Sequence, residues 1–361
     1  MAPGSSAPPG SPAPHDLSDA AIEAVAPLRI SFVGGGTDFP HWYEEHGGAV
    51  VSATIDHVVR VRVTERTDRV VAVRSLDLDR LVAYHLDDGP VYDGALDLVK
   101  AAIERSGLHA GVDVEIRSEA PPGSGLGGSS ALVTAVVAAL AMLGDRLLSA
   151  ETLADMAYRV EREDLRIAGG WQDQYAAAFG GCNLLVFSRA GVRVEPVADA
   201  DRLATLAGGL LLCYTGHVRR NVGLIDRQIA LHAEGREETL LGMKRLQEMA
   251  YAMRDAVERA DLPAVGGLLH DAFVAKQQMN PYIADDTPIE AMLTAARDAG
   301  SYGGKVCGAG GGGYLLIAAP PETQPAVRAA LEAMGGEFAP FAFAPAGVRA
   351  TRGRATWAPA P

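Results

Sequence analysis

Residues 121–131 read Pro-Pro-Gly-Ser-Gly-Leu-Gly-Gly-Ser-Ser-Ala, and this segment separates an extended pattern from a long apolar helix pattern. Its glycines allow backbone N–H groups to approach an anion closely, and the helix that follows adds the positive end of its dipole. Ser129 or Ser130 can cap that helix or ligate a metal ion. A simple helix-start turn is the alternative, but the density of Gly, Pro and Ser favours a phosphate-binding loop.

Two other phosphate-binding motifs fit this segment less well. Gly123, Gly125 and Gly128 satisfy G-x-G-x-x-G, the pattern of dinucleotide folds. Such a loop leaves its strand directly and is followed about 20 residues later by an acid at the end of a second strand. Here residues 119–122 separate the strand pattern from the glycines, and Asp145 falls between helices. A dinucleotide-dependent oxidoreductase therefore remains an alternative only if the glycines follow a strand directly. The P-loop pattern G-x-x-x-x-G-K-[ST] does not occur.

Two further glycine-rich loops flank this segment along the chain. Residues 33–38, Val-Gly-Gly-Gly-Thr-Asp, follow the strand pattern that carries Arg29. An aspartate there can accept hydrogen bonds from two neighbouring hydroxyls of a polyol, with an ordinary turn as the alternative. Residues 303–313 contain so many glycines that close packing of the backbone against a ligand or another loop is favoured over a flexible hinge.

Composition limits the classes of protein and of partner. The chain has 361 residues, which predicts about two domains, and 48% hydrophobic residues supply a sizeable core. The formal net charge of -13 argues against nucleic acid or an anionic membrane as a partner. Cys182, Cys213 and Cys307 form no C-x-x-C pair, so we expect no disulfide framework or zinc cluster, and a reducing cytoplasm fits.

No targeting or membrane segment is expected. The longest apolar run, residues 131–143, is too short to span a bilayer, and the N-terminus lacks the basic-then-apolar pattern of a signal peptide. Residues 1–16 consist largely of Pro, Gly, Ser and Ala, which predicts a disordered tail.

Hydrophobic periodicity predicts that both halves combine helices and strands. Strand patterns cover residues 28–33, 49–54, 58–65, 70–75, 112–117, 183–187, 210–214, 305–306, 313–318 and 337–343. Helix patterns cover residues 92–106, 129–143, 150–165, 172–179, 222–232, 237–258, 263–279 and 287–299. A weakly patterned stretch near residues 190–207 predicts a boundary, which divides the chain into the tail 1–16 and two domains, 17–200 and 201–361.

Together the three glycine-rich loops resemble the ordered motifs of the GHMP small-molecule kinases, the superfamily of galactokinase and mevalonate kinase. The resemblance lies in residues 26–29 (Ala-Pro-Leu-Arg) with 34–38, then 122–131, then 305–313. It covers nearly the whole chain after the tail. Within the superfamily, the segments most similar to D-glycero-D-manno-heptose 7-phosphate 1-kinases are 34–40, 161–165, 170–175 and 341–347.

The resemblance implies a two-domain α+β fold and an ATP-dependent activity. The N-terminal domain would resemble domain 2 of ribosomal protein S5, the C-terminal domain would be ferredoxin-like, and ATP and sugar would meet between them. The implied reaction phosphorylates the anomeric hydroxyl of D-glycero-D-manno-heptose 7-phosphate and gives the 1,7-bisphosphate. A C7 cyclitol 7-phosphate or a hexose such as fucose is the alternative substrate, whereas the loss of the Glu-His pair of the galactokinase motif argues against galactose.

A non-catalytic sugar sensor, known in the same superfamily, is a further alternative. The catalytic groups of the superfamily, which a sensor can lose, are matched here by Arg29, Ser130, Glu161 and Asp173. A homodimer is compatible with the sequence but is not argued by it.

The resemblance also assigns roles to residues. The loop that wraps the ATP phosphates would consist of Pro122, Gly123, Ser124, Gly125, Leu126, Gly127, Gly128, Ser129 and Ser130. Ser130 and Glu161 would hold Mg²⁺, with Ser129 and Glu163 as rival ligands. Asp173 would accept the proton of the sugar hydroxyl or orient that hydroxyl, and Arg29 would pair with Asp173 and stabilise the moving phosphoryl group.

The implied sugar-phosphate contacts come from both halves of the chain. They are Gly35, Gly36, Thr37, Asp38, Asp173, Arg219, Arg220, Lys276, Gly310 and Gly311, with Lys305 as a further candidate for a phosphate already on the sugar. Ordinary roles remain as alternatives: Glu161 as a solvated acid, Asp173 as a helix N-cap, and the basic residues as solvated charges.

Overall fold

A computed structural model describes residues 21–217, 223–285 and 287–353 of the chain. The strands are β1 (Ile22–Val33), β2 (Gly48–Glu65), β3 (Val70–Ser75), β4 (Arg80–His85), β5 (Val112–Ser118), β6 (Cys182–Ser188), β7 (Gly191–Pro196), β8 (Leu210–Tyr214), β9 (Gly303–Val306), β10 (Tyr314–Ala318), β11 (Glu337–Ala339) and β12 (Arg349–Arg352). The helices are α1 (Pro40–His46), α2 (Asp97–Ser106), α3 (Gly128–Leu143), α4 (Ala150–Arg159), α5 (Gln172–Phe179), α6 (Ala200–Ala207), α7 (Leu224–Ala233), α8 (Glu237–Glu258), α9 (Leu262–Met279), α10 (Ile289–Asp298) and α11 (Gln324–Glu332).

Within the described residues, eight strands form one mixed sheet. Their order is β12-β1-β2-β5-β3-β4, with β6 and β7 continuing from β2. β2 pairs with β1 along one edge, and its other edge is shared by two strands. Its first half pairs there with β6, where Val51 lies opposite Leu184, and its second half pairs with β5. The sequence predicted two strands here because polar Asp56 interrupts the apolar pattern. The backbone stays extended at that point because the Asp56 N–H donates to the carbonyl of Ala342 at 2.9 Å.

A second, antiparallel sheet lies in the C-terminal half, with the order β11-β8-β10-β9 in the described residues. α9, α10 and α11 cover it and share an apolar core that includes Cys213, Val306 and Leu315. β12 returns to the first sheet, where Ala350 lies opposite Ala24 of β1. Apart from β12, the strands of the first sheet precede β8 and those of the second sheet begin with it, while the boundary at residue 200 stays a prediction.

β1 and α3 form the frame around which the site is built. α3 is apolar on nearly all sides and packs against β1 and β2 inside the larger core, as expected for a central helix. The pairing of β1 with β2 is irregular between Pro27 and Arg29 and again between Ser31 and Val33. Such irregularities redirect side chains, and the polar residues Arg29 and Ser31 lie between them on a mostly apolar strand.

Two predicted helices have different limits in the structure. The helix predicted for residues 150–165 is α4 followed by a π-helical turn, Val160–Asp164, a feature that is often found at functional sites. The helix predicted from Tyr92 begins instead at Asp97, because the carboxylates of Asp93 and Asp97 bind backbone N–H groups of the preceding loop. The short elements α1, β4, β7, α6, α11 and β12 were not predicted, since each presents only a brief pattern.

Candidate active site

A cavity of about 630 Å³ opens between the glycine-rich segment at 121–129 and the loop at 33–38. Its volume falls within the usual range for small-molecule sites. One wall of the cavity lies beside the N-terminal end of α5 and the loop at residues 303–313. Its charged and hydroxyl-bearing side chains are those of Arg29, Ser31, Asp38, Arg162, Asp173, Lys276 and Lys305. The cavity therefore combines a glycine-rich loop suited to an anion with a concentration of charge.

Arg29 and Asp173 form an ion pair on this wall, although 144 residues separate them in sequence. Arg29 Nε donates to Asp173 Oδ1 at 2.8 Å, and Nη2 lies 2.6 Å from the same oxygen. The Asp173 side chain is 24% exposed against 5% for Arg29, so the carboxylate can be reached from the cavity. The N-cap of α5 is Trp171, which shows that Asp173 lies in the first turn and does not cap the helix.

The glycine-rich segment forms a loop at the N-terminus of α3. Gly123, Gly125 and Gly127 all have positive φ, a conformation that glycine adopts without strain. Its cavity-lining residues are Pro122, Gly123, Ser124, Gly125, Gly127, Gly128 and Ser129, whereas Leu126 is buried in the apolar core. The first N–H groups of a helix are unpaired within the helix, so this loop is suited to a phosphate chain.

The same loop is fixed from two sides. Arg29 Nη1 donates to the carbonyl of Gly125 at 2.6 Å, and the Arg29 N–H donates to the carbonyl of Leu126 at 2.9 Å. From the other sheet, a Cβ on Gly125 would lie only 2.7 Å from the carbonyl oxygen of Cys307. The loop at residues 303–313 thus packs backbone to backbone against the loop at residues 121–131. β5 ends at Ser118, so the glycines of residues 123–128 do not follow a strand directly, and the condition for a dinucleotide fold is not met.

Ser130 and Glu161 lie together behind the loop, both 2% exposed. Glu161 is on the π-helical turn, where Oε2 lies 3.0 Å from Nη1 of Arg162 and Oε1 is buried without a hydrogen-bond partner among the described atoms. Burial raises the pKa of Glu161, and Arg162, Ser130 and Gln174 partly offset that rise. An orphaned carboxylate oxygen beside a hydroxyl fits a hard cation such as Mg²⁺, so these two side chains could hold one.

The predicted rival ligand Glu163 points elsewhere. Its carboxylate lies 3.3 Å from Nη2 of Arg105 at the surface, with the side chain 55% exposed. Ser129 lines the cavity at the start of α3 and remains a candidate ligand. The solvated-acid alternative for Glu161 does not agree with its burial.

Asp38 forms the second polar centre of the cavity. Its Oδ1 accepts the Gly36 N–H at 2.9 Å, and its Oδ2 accepts the Gln172 N–H at 3.1 Å. Burial raises the pKa of Asp38, the backbone hydrogen bonds oppose the rise, and the charge of Asp173 adds to it. Because Gln172 directly precedes Asp173, these hydrogen bonds connect the loop at residues 33–38 to the segment that carries Asp173.

Several predicted sugar contacts do not reach the cavity. Thr37 is fully buried, and its hydroxyl lies 2.8 Å from the carbonyl oxygen of Gly34, so it fixes the loop. Gly310 and Gly311 lie against Ile283, with the Gly311 N–H donating to the Ile283 carbonyl at 2.8 Å. By contrast, Gly35, Gly36 and Lys276 line the cavity, and the Lys276 ammonium donates to the carbonyl of Gly308. Arg219 and Arg220 lie outside the described residues.

The end of the cavity beside α2 is mostly apolar, although Ser75, Asp77, Asp97 and Ser118 also line it, and it was not identified from the sequence. It is lined by Val59, Leu78, Leu96, Leu98, Val99, Ile116 and Leu132. Lys100, 1% exposed, holds the neighbouring loop, as its Nζ donates to the carbonyl of Val91 at 2.6 Å and to Asp93 Oδ1 at 2.7 Å. The sequence signal was a lysine within an apolar helix face, a position where a charge requires a partner.

A glycine loop at a helix N-terminus that faces an arginine–aspartate pair is the arrangement expected of a phosphotransferase acting on a hydroxyl group. Residues 93–181 match the family described as GHMP kinases N terminal domain, and residues 253–337 match the family described as GHMP kinases C terminal. A D-glycero-alpha-D-manno-heptose 7-phosphate kinase of Campylobacter jejuni is 31% identical over 340 residues, which cover 92% of this chain and 99% of that protein. The chain therefore belongs to the GHMP kinase family, and it is an ATP-dependent phosphotransferase.

Solved structures agree with this assignment and confirm the predicted two-domain α+β kinase fold. The crystal structure of a D-glycero-D-manno-heptose 1-phosphate kinase from Bacteroides thetaiotaomicron superposes with a TM-score of 0.75 at 25% identity, covering 91% of this chain and 98% of that one. A bifunctional fucokinase/GDP-fucose pyrophosphorylase of Arabidopsis thaliana is 27% identical over 313 residues. The matched region covers 81% of this chain and 29% of that longer protein.

Among the residues that the structure describes, the helices are all too short or too polar to cross a lipid bilayer.

Proposed function

We propose that this chain is a sugar 1-kinase that transfers the γ-phosphoryl group of ATP to the anomeric hydroxyl of D-glycero-D-manno-heptose 7-phosphate. The observation that carries the proposal is the Arg29–Asp173 ion pair on the wall of a cavity that also contains the glycine-rich start of α3. Similarity to the heptose 7-phosphate kinase of Campylobacter jejuni over nearly the whole of both chains supports the choice of sugar.

Asp173 and Arg29 divide the chemistry between them. Asp173 accepts the proton of the anomeric hydroxyl while the hydroxyl oxygen attacks the γ-phosphorus. The new O–P bond forms while the bond from the γ-phosphorus to the bridging oxygen breaks, and that electron pair leaves with ADP. Arg29 holds the carboxylate in place and opposes the negative charge on the phosphoryl oxygens, and Asp173 then releases the proton to solvent.

The cavity offers a separate place for each part of ATP. The phosphates lie along residues 123–129, where backbone N–H groups and the α3 dipole face them. The base occupies the apolar end, beside Leu96 and Val99. Ser130 and Glu161 would hold Mg²⁺, which would neutralise part of the phosphate charge.

The sugar occupies the polar end of the cavity. Asp38 accepts hydrogen bonds from neighbouring hydroxyls, and the backbone of Gly35 and Gly36 lies beside it on the wall. Lys276 brings positive charge to this end and fits an anionic substrate better than a neutral one. A hexose is the second candidate, since the chain is also similar to a plant fucokinase.

The cell compartment belongs to the same proposal. Cys182, Cys213 and Cys307 are all free and buried, which agrees with a reducing cytoplasm. The homodimer that the sequence left open stays a prediction.

The experiment is a panel of ATP-consumption assays with Mg²⁺ and D-glycero-D-manno-heptose 7-phosphate, free heptose, fucose, galactose and a C7 cyclitol 7-phosphate. We expect the heptose 7-phosphate to have the highest kcat/KM, by at least about tenfold, because a polar site discriminates strongly against ligands that leave its groups unpaired. A higher value for the cyclitol or a hexose would replace the substrate and keep the kinase. No turnover with any of them would favour the sensor.

A further inference from the structure

Lys305 brings a positive charge into the cavity from the second sheet. It lies on β9, is 4% exposed, and lines the same cavity as Arg29 and Asp173. Its Nζ donates to the carbonyl of Ser31 at 2.7 Å, and Ser31 is two residues beyond Arg29 on β1. The Ser31 hydroxyl in turn donates to Oε1 of Gln172, the neighbour of Asp173, at 2.8 Å. The ammonium is therefore at the reacting end of the cavity, away from the apolar end.

The charge of Lys305 is poorly compensated within the protein. Among the described residues it forms no ion pair with a carboxylate, and of its three N–H donors the structure assigns one to Ser31. Burial lowers the pKa of Lys305 to about 8, the neighbouring Cys307 thiol opposes the shift, and the charge of Arg29 adds to it. A buried cation in this situation is costly unless an anion enters the site.

A purely structural role does not account for a lysine at this position. A neutral donor or an apolar side chain could join β9 to β1 without burying a charge near Arg29. The charge becomes favourable when phosphoryl oxygens occupy the cavity, because the two unassigned N–H donors then find acceptors.

We propose that Lys305 is a further catalytic residue, whose ammonium contacts the transferred phosphoryl group from the side of the second sheet and stabilises its negative charge together with Arg29. This inference rests on the proposed kinase function. It adds no covalent step, because the proton still goes to Asp173 and the electron pair still leaves with ADP.

The test compares Lys305→Met and Lys305→Arg with a surface control, Lys244→Met, whose side chain is 69% exposed. We expect Lys305→Met to lower kcat/KM for the sugar about 10²- to 10³-fold, the usual effect of removing one oxyanion-stabilising donor. Its Kd for ATP in a binding assay should stay within about threefold, and its Tm within a few degrees, since a buried unpaired charge is removed. Lys305→Arg should recover most of the activity, and Lys244→Met should match wild type.

The pH profile separates a catalytic charge from a structural contact. The titratable groups around Lys305 are Arg29, Asp38, Asp173, Lys276 and Cys307. We expect wild-type kcat/KM for the sugar to fall as the pH rises through about 8, because the free enzyme then loses the ammonium proton. In Lys305→Arg this fall should disappear, because arginine keeps its charge throughout that range.

Three results would overturn the inference while leaving the kinase intact. They are a Lys305→Met variant as active as wild type, a lowered Tm with activity that Lys305→Arg does not recover, and an identical alkaline fall in wild type and Lys305→Arg. If wild type phosphorylates no sugar at all, the proposed function fails first, so the two failures are distinguishable.

Discussion

The surroundings of the Glu161 carboxylate give the most direct support for a metal site. One of its oxygens is paired with Arg162, and the other is buried without a hydrogen-bond partner among the described atoms. A buried acceptor left unsatisfied costs about 1–3 kcal/mol. A cation bound beside Ser130 would remove that cost, which connects the folded structure directly to the proposed metal.

Replacing Asp173 tests the base. We expect Asp173→Asn to lower kcat about 10³-fold, because an amide cannot accept the hydroxyl proton and general base catalysis contributes about 10²- to 10⁴-fold. Kd for ATP should stay within about twofold, as measured by isothermal titration calorimetry beside initial rates. Asp271→Asn, an exposed position on α9, is the matched control. Wild-type turnover in Asp173→Asn would remove this residue from the mechanism.

Replacing Glu161 tests the metal site. We expect Glu161→Gln to raise the Mg²⁺ concentration for half-maximal activity at least about tenfold, because the variant loses a charged oxygen ligand. Glu163→Gln is matched in chemistry and neighbouring in sequence, but its carboxylate pairs with Arg105 at the surface. Magnesium titrations should therefore separate the two variants. A larger effect in Glu163→Gln would reverse the assignment.

Among elements, the loop before α2 shows how one buried charge can shape a ligand site. Asp97 Oδ1 accepts from Lys100 Nζ at 2.9 Å, and its Oδ2 accepts the Gly94 N–H at 2.8 Å. Leu96, on the cavity wall, has φ 58, a conformation that a non-glycine residue adopts only at a cost. The Lys100 network offsets that cost and thereby holds the wall of the proposed base site.

Replacing Lys100 tests this positioning role. We expect Lys100→Met to raise KM for ATP about tenfold with kcat and KM for the sugar nearly unchanged, because the loop loses its central ion pairs while the reacting groups stay in place. Initial rates over a matrix of ATP and sugar concentrations measure the split, with Lys244→Met as control. An unchanged KM for ATP in a folded variant, shown by an unchanged Tm, would contradict the role.

The sequence predicted the local features of the site and missed those that depend on distant contacts. The three glycine loops were identified because loop chemistry and residue type are local properties, and the resemblance of their motifs to a known family identified Arg29 and Asp173. The inward turn of Thr37 could not be predicted, since its partners Gly34 and Ala49 are set by the pairing of β2 with its neighbours. The continuity of β2 likewise depends on residues near 342, far along the chain.

At the scale of the whole molecule, the site is assembled by contact between the two sheets. β1 contributes Arg29 and the second sheet contributes Lys305, while the loop that begins α3 packs against the loop that ends β9. The glycine density of residues 303–313 predicted close backbone packing at this point, but local patterns did not identify which loop it packs against. The contact between the sheets brings the glycine-rich loop, the proposed base Asp173 and two cations into one cavity, so the proposed site draws on both halves of the chain.

The position of the new phosphate tests the central claim most directly. We would incubate the enzyme with ATP, Mg²⁺ and D-glycero-D-manno-heptose 7-phosphate and record the phosphorus–proton couplings of the product by NMR. The account predicts a 1,7-bisphosphate, in which the new phosphorus couples to the anomeric proton, and no such product with Asp173→Asn. A phosphate on any other carbon, or no transfer to this sugar, would contradict it.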